Sequence, residues 1–92
     1  MIRSFADKES ERLWRSGRSI RFGNIAAQAF RALTQIDGAG KIDDLRSPPG
    51  NRLEKLRGER SGQWSIRIDR QWRVCFSWEN GYAEDVEIVD YH

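Results

Sequence analysis

The sequence is poor in the residues that most often announce chemistry. Its 92 residues include one cysteine, Cys75, and one histidine, His92. No internal disulfide can form, which fits a reducing compartment, and a cytoplasmic location is expected. With no close-spaced ligand set, neither a zinc nor an iron site is expected, and no cofactor is implied. No apolar run exceeds a few residues, so no membrane-spanning helix is expected, and M-I-R-S-F-A-D-K lacks the apolar core of a secretory signal. The strained nucleophile turn G-x-S-x-G is absent. A phosphate-cradling glycine loop is missing too, since Gly58 and Gly62 flank a turn rather than open a helix.

What is present is arginine, aromatics and alternation. A chain of this length predicts one domain, 1–92, whose core is modest and whose site lies on a surface or in a shallow groove. With 38% hydrophobic and 33% charged residues it is polar, yet too patterned for disorder. The net charge of +2 hides an asymmetry. Sixteen basic residues against nine acids give residues 1–78 a charge of +7, whereas residues 79–92 hold five acids and no Lys or Arg, for −5. Thirteen of the basic residues are arginine, whose planar fork pairs with phosphate and stacks on bases. A nucleic-acid partner, an acidic protein partner and a plain solvated face all fit that composition.

Taken in order, Ile2 to Phe5 predicts a brief edge strand. Asp7 caps a helix to about Ser16, with Glu9 and Glu11 near its positive end and Gly17 as its stop. A second helix is expected from an Asn24 cap, its buried stripe formed by Ile25, Ala26, Ala29, Phe30, Leu33 and Ile36. Asp37-Gly38-Ala39-Gly40 ends it, and a short third helix is expected at 42–45. Ser47-Pro48-Pro49-Gly50 is a turn between a helical and a sheet half. Strands are expected near 52–56, 63–68, 72–78 and 85–91, joined by tight turns at Asp69-Arg70-Gln71 and Glu79-Asn80-Gly81. The fold class is therefore α+β: two N-terminal helices on a mainly antiparallel sheet of about four to five strands, with the other sheet face open.

Period-two alternation sorts the strand residues. Trp64, Ile66, Ile68, Trp72, Val74, Phe76 and Trp78 form an apolar face, and the four tryptophans' role is core rather than base stacking. The opposite face carries Arg67 and Arg73. RNA brings its own nucleophile, the 2′-hydroxyl, so a cleaving site needs proton transfer and cations rather than a protein nucleophile. Arg67 and Arg73, with Arg57 and Arg60 in the adjacent loop, are candidate phosphate-binding cations. Glu54, Asp90, Tyr91 and His92 are candidate proton-transfer groups. Each has a plainer reading: His92 as a solvated tail, Asp90 as an arginine partner, Tyr91 as packing. Strict alternation also puts Tyr91 on the opposite face from Asp90 and His92.

The run L-E-K-L-R-G-E-R-S-G-Q-W-S-I-R-I-D-R-Q-W-R-V-C-F, followed by V-E-I-V-D-Y-H at the end, resembles the HigB toxins of the RelE/ParE superfamily. The likeness extends over essentially the whole chain, including M-I-R-S-F and R-S-P-P-G-N-R-L. It implies a RelE-like fold and a ribosome-dependent messenger-RNA endonuclease, held in check by a HigA-type helix-turn-helix antitoxin. Operator DNA would be met only through that antitoxin. The resemblance makes Arg73 the grip on the scissile phosphate and Asp90, Tyr91 and His92 the C-terminal catalytic cluster. Arg57 stands where some members carry lysine. Glu54 stands where some carry histidine, which suits a general base but not a cation. Two alternatives stay open here: a non-enzymatic gyrase poison of ParE type, and an RNA-binding module with a decayed site.

Overall fold

The structure, a computed structural model, describes residues 1–91. Its first helix, α1 (Lys8–Ser16), begins where Asp7 accepts a hydrogen bond from the Ser10 amide at 3.1 Å. It ends at Gly17, whose left-handed φ of 74° lets its amide reach back to the Leu13 carbonyl at 2.7 Å. Both boundaries match the sequence pattern. The second helix, α2 (Ala26–Gly38), starts differently from expectation. A 3-10 turn over Gly23–Ile25 leads into it, and Asn24 lies inside that turn rather than capping the helix. The chain is already turning there, because the Phe22 amide donates to the Ser19 hydroxyl and the Ile25 amide to the Phe22 carbonyl. The expected third helix is a 3-10 segment, Ile42–Arg46.

The sheet is an antiparallel meander in the order β1 (Glu54–Lys55), β2 (Gln63–Arg67), β3 (Trp72–Glu79), β4 (Tyr82–Asp90). The N-terminal segment lies along the outer edge of β4, with parallel bridges from Ile2 to Ala83 and Phe5 to Val86. That segment covers an edge which would otherwise offer unpaired backbone groups. Two strands differ from the sequence expectation. The strand near 52–56 shrinks to two residues, because Arg52 takes a left-handed conformation (φ 46°) that strand geometry does not accept. The last strand begins at Tyr82 instead of 85, since Asn80 and Gly81, both at positive φ, form a hairpin turn tight enough to pair Glu79 with Tyr82.

A bulge interrupts the alternation of β4. The register slips between Cys75 and Ser77, with Asp85 at φ 52°. Ala83 before the bulge and Val86 and Ile88 after it therefore all face the core, three residues and then two apart. That core joins Leu13 of α1 and Ala29, Leu33 and Ile36 of α2 to Ile66, Val74 and Phe76 of the sheet. Each such fully buried large apolar side chain contributes roughly 1.5–3 kcal/mol. Phe30 does not join them: it stays 37% exposed and stacks on Trp14 at 5.2 Å. The tryptophans pack half-buried around the core, as expected.

The second face of the sheet is not open. Ser65, Arg73 and Cys75 are buried there. The 57–62 loop folds over it, and Arg60 holds the loop down by bonding Glu87 of β4 at 3.2 Å and Gln63 at 3.1 Å. The end of that face near Arg67 and Tyr91 stays accessible, and the candidate site lies there.

Candidate active site

Arg73 occupies that corner. β3 pairs it directly across from Arg67 on β2, so two arginines sit opposite each other on one face. Opposed like charges destabilise a ladder unless something negative lies between them. Arg73 is only 7% exposed, and its guanidinium is held from behind. Nε donates to the Ser65 hydroxyl at 2.8 Å, and Nη2 donates to the Arg52 carbonyl at 2.6 Å and more weakly to the Ser65 carbonyl at 3.4 Å. The left-handed turn at Arg52 is what aims that carbonyl inward. Three of the five N–H donors of the fork are engaged in this way. Among the described residues, Nη1 has only Glu54, whose Oε1 lies 3.9 Å away on a side chain 55% exposed. A nearly buried cation with so loose a counter-ion is under-neutralised, and an anion arriving on the Nη1 edge would be strongly favoured.

The remaining walls come from the β2–β3 turn and the end of β4. Arg52, Glu54, Arg67, Asp69, Arg70, Arg73 and Tyr91 line a groove of about 420 Å3. The turn is stiffened by Asp69, whose Oδ1 accepts from the amides of Gln71 and Trp72, both at 2.8 Å. Its carbonyl accepts from Arg67 Nε at 3.0 Å. The Gln71 carbonyl in turn accepts the Tyr91 amide at 2.7 Å, which ties the chain's last strand to the same turn. The Tyr91 ring lies 5.8 Å from the Arg73 guanidinium and is 40% exposed, so its hydroxyl can meet a ligand.

Four residues named from the sequence are thus brought together: Arg73, Arg67, Glu54 and Tyr91. Asp90 is placed elsewhere. It pairs across from Trp72, on the core side of the strand, where Gln71 Nε2 donates to its Oδ2 at 3.0 Å. Arg57 is exposed outside the groove wall, and Arg60 is spent on Glu87 and Gln63. His92 lies outside the described residues. Arg52, Ser65, Asp69 and Arg70 were missed. Arg70 and Asp69 carried a signal, as charged residues in a turn beside two arginines; Arg52 and Ser65 carried none, because they act through backbone or through a hidden hydroxyl.

A depression of similar size on α1 is lined by Lys8, Glu11, Arg12 and Arg15, but its arginines already pair, Arg15 with Glu11 at 2.9 Å and Arg12 with Glu9 at 2.8 Å. Cys75 is no candidate nucleophile: burial pushes its thiol up, against a smaller downward pull from Arg60 and Arg73. Among the described residues no three His, Cys, Asp or Glu side chains converge as metal ligands would.

Comparison with known proteins places the chain in a family. A family described as the RelE-like toxin of the type II toxin–antitoxin system HigB matches residues 3–92. The chain is 39% identical over 85 residues to Toxin HigB-1 of Vibrio cholerae, covering 90% of each. It is 35% identical over 95 residues to Endoribonuclease HigB of Proteus vulgaris, covering the whole of both. In fold it is similar to a chain of the YoeB–YefM complex from Staphylococcus aureus, with a TM-score of 0.61 at 14% identity over 100% of this chain and 98% of the other. A YafQ variant from E. coli gives a TM-score of 0.62 at 9% identity, over 98% and 93%.

Proposed function

Because the chain belongs to the HigB family of RelE-like toxins from type II toxin–antitoxin systems, we propose that it is a metal-independent endoribonuclease that cuts messenger RNA in the ribosomal decoding site. The observation that carries this reading is the under-neutralised Nη1 edge of Arg73 facing Arg67 across a groove that also holds Glu54 and Tyr91.

The reaction balances without a protein nucleophile. Glu54 takes the proton of the 2′-hydroxyl, and the freed oxygen attacks the adjacent phosphorus. Arg73, fixed from behind, and Arg67, opposite it, stabilise the extra negative charge of the pentavalent phosphorane. The bond to the 5′-oxygen then breaks, and that oxygen leaves with a proton from His92 or Tyr91. The products are a 2′,3′-cyclic phosphate and a free 5′-hydroxyl. Asp90 contributes to the C-terminal cluster by its bond to Gln71, which holds the strand end beside the turn. The groove is shallow, so the ribosome supplies the orientation that it lacks. The +7 charge of residues 1–78 draws the protein to ribosomal RNA. An antitoxin partner follows from the family, and we assign it to the HigA helix-turn-helix type, which alone meets operator DNA. The helices of residues 1–91 include none long and apolar enough to cross a membrane, and the proposed site of action is the cytoplasm.

Replacing the nucleotide 5′ of a mapped cut by its 2′-deoxy form tests the chemistry. Cleavage there should stop, while the unmodified message yields 2′,3′-cyclic ends. Cutting of the deoxy message would mean that water or a protein group attacks instead.

A further inference from the structure

Arg67 forms part of two cavities. Beyond it, away from Arg73, a narrower and more enclosed pocket of about 190 Å3 opens between α2 and the 48–51 turn. Its functional walls are Gln28, Arg31, Gln35, Asn51 and Arg67. Gln28, Arg31 and Gln35 fall at spacings of three, four and seven, so α2 presents them as one stripe. This stripe lies beside the apolar one that packs on the sheet, and no core requirement places polar residues there.

The pocket is pre-organised. Asn51 is buried, and its Nδ2 donates to Gln35 Oε1 at 2.7 Å and to the Leu45 carbonyl at 3.1 Å. Those bonds leave Asn51 Oδ1 as an acceptor and Gln35 Nε2 as a donor, fixed on neighbouring groups. Gln28 and Arg31 add an exposed amide and an exposed cation, neither of them in a hydrogen bond or ion pair with another described residue. Adjacent fixed donors and acceptors with an arginine beside them are what reads the edge of an unstacked base.

We propose that this pocket is a base-recognition subsite, which receives one of the two bases flanking the scissile phosphate while Arg67 bridges the two cavities by contacting the connecting phosphate. The inference rests on the nuclease reading above, and it adds a source of sequence preference that the catalytic corner lacks. Its volume admits one base and not a stacked pair, which confines the preference to a single position.

The test uses the folded protein and an uncleavable RNA trinucleotide, 2′-O-methylated throughout, at low salt. Two further copies each lack one of the two bases flanking the phosphate between the second and third nucleotides. Binding is followed by NMR, including the side-chain amide resonances of Gln28, Gln35 and Asn51. Loss of one particular base should weaken binding roughly tenfold and abolish the shifts of those amides, a difference of the size a good edge contact gives. In a Gln28→Ala, Arg31→Ala variant, both exposed and outside the core, that base should no longer matter while the trinucleotide still binds. Arg73→Ala should weaken all three ligands alike. If wild type holds the abasic copies as tightly as the parent, the subsite is wrong and the phosphate site stands. If wild type binds none of them, the phosphate reading falls and the subsite with it.

Discussion

Arg73 carries its charge at 7% exposure, with two carbonyls and a hydroxyl behind it and one loose carboxylate in front. Such an arrangement is costly unless an anion completes it. Glu54 is the proposed general base. The Glu54→Gln variant should lose at least roughly a hundredfold in single-turnover cleavage at neutral pH, the usual range for removal of a general base. Its melting temperature should hardly change, because the side chain is 55% exposed and its contact with Arg73 spans 3.9 Å. A variant that cuts at the wild-type rate would pass the base role to another group. At this scale Arg67, Arg73, Glu54 and Tyr91 were legible, since alternation gives the strand residues a face and a nuclease needs these types. The parity of the last strand even separated Tyr91 from Asp90, and the structure keeps them apart. Arg52 and Ser65 were not legible: a carbonyl aimed by one left-handed residue leaves no trace in composition.

The elements were legible where a local rule decides them. Asp7 and Gly17 bound α1 because capping chemistry is short-range, and Asn80-Gly81 made its hairpin for the same reason. The bulge at Asp85 and the short β1 were hidden, since each turns on a non-glycine residue at positive φ, Asp85 and Arg52, which residue type does not announce. Asp85 sits at φ 52°, where a β-branched side chain is strained. Asp85→Val should therefore cost about 1–2 kcal/mol in urea unfolding, whereas Asp85→Gly should be neutral or better. Equal stability of the two would mean that the strand re-registers without the bulge. In that case Val86 and Ile88 would leave the core face and Tyr91 would turn from the groove, so cleavage is the second readout.

At the scale of the molecule, helices before a meander and a positive body with an acidic end were readable from order and charge alone. The covered second face was not, because it depends on one long-range pair, Arg60 with Glu87, 27 residues apart. The proposed site lies at the other end of that face, beside Arg67 and Tyr91. We propose that this corner cuts message through Arg73. Purified ribosomes programmed with a defined message, treated with wild type or Arg73→Ala and mapped by primer extension, test it most directly. A new end within the decoding-site codon in wild type, reduced by roughly two to three orders of magnitude in the variant, is the predicted result. Equal cutting by both proteins, or no cutting by wild type alongside inhibition of gyrase supercoiling, would contradict it.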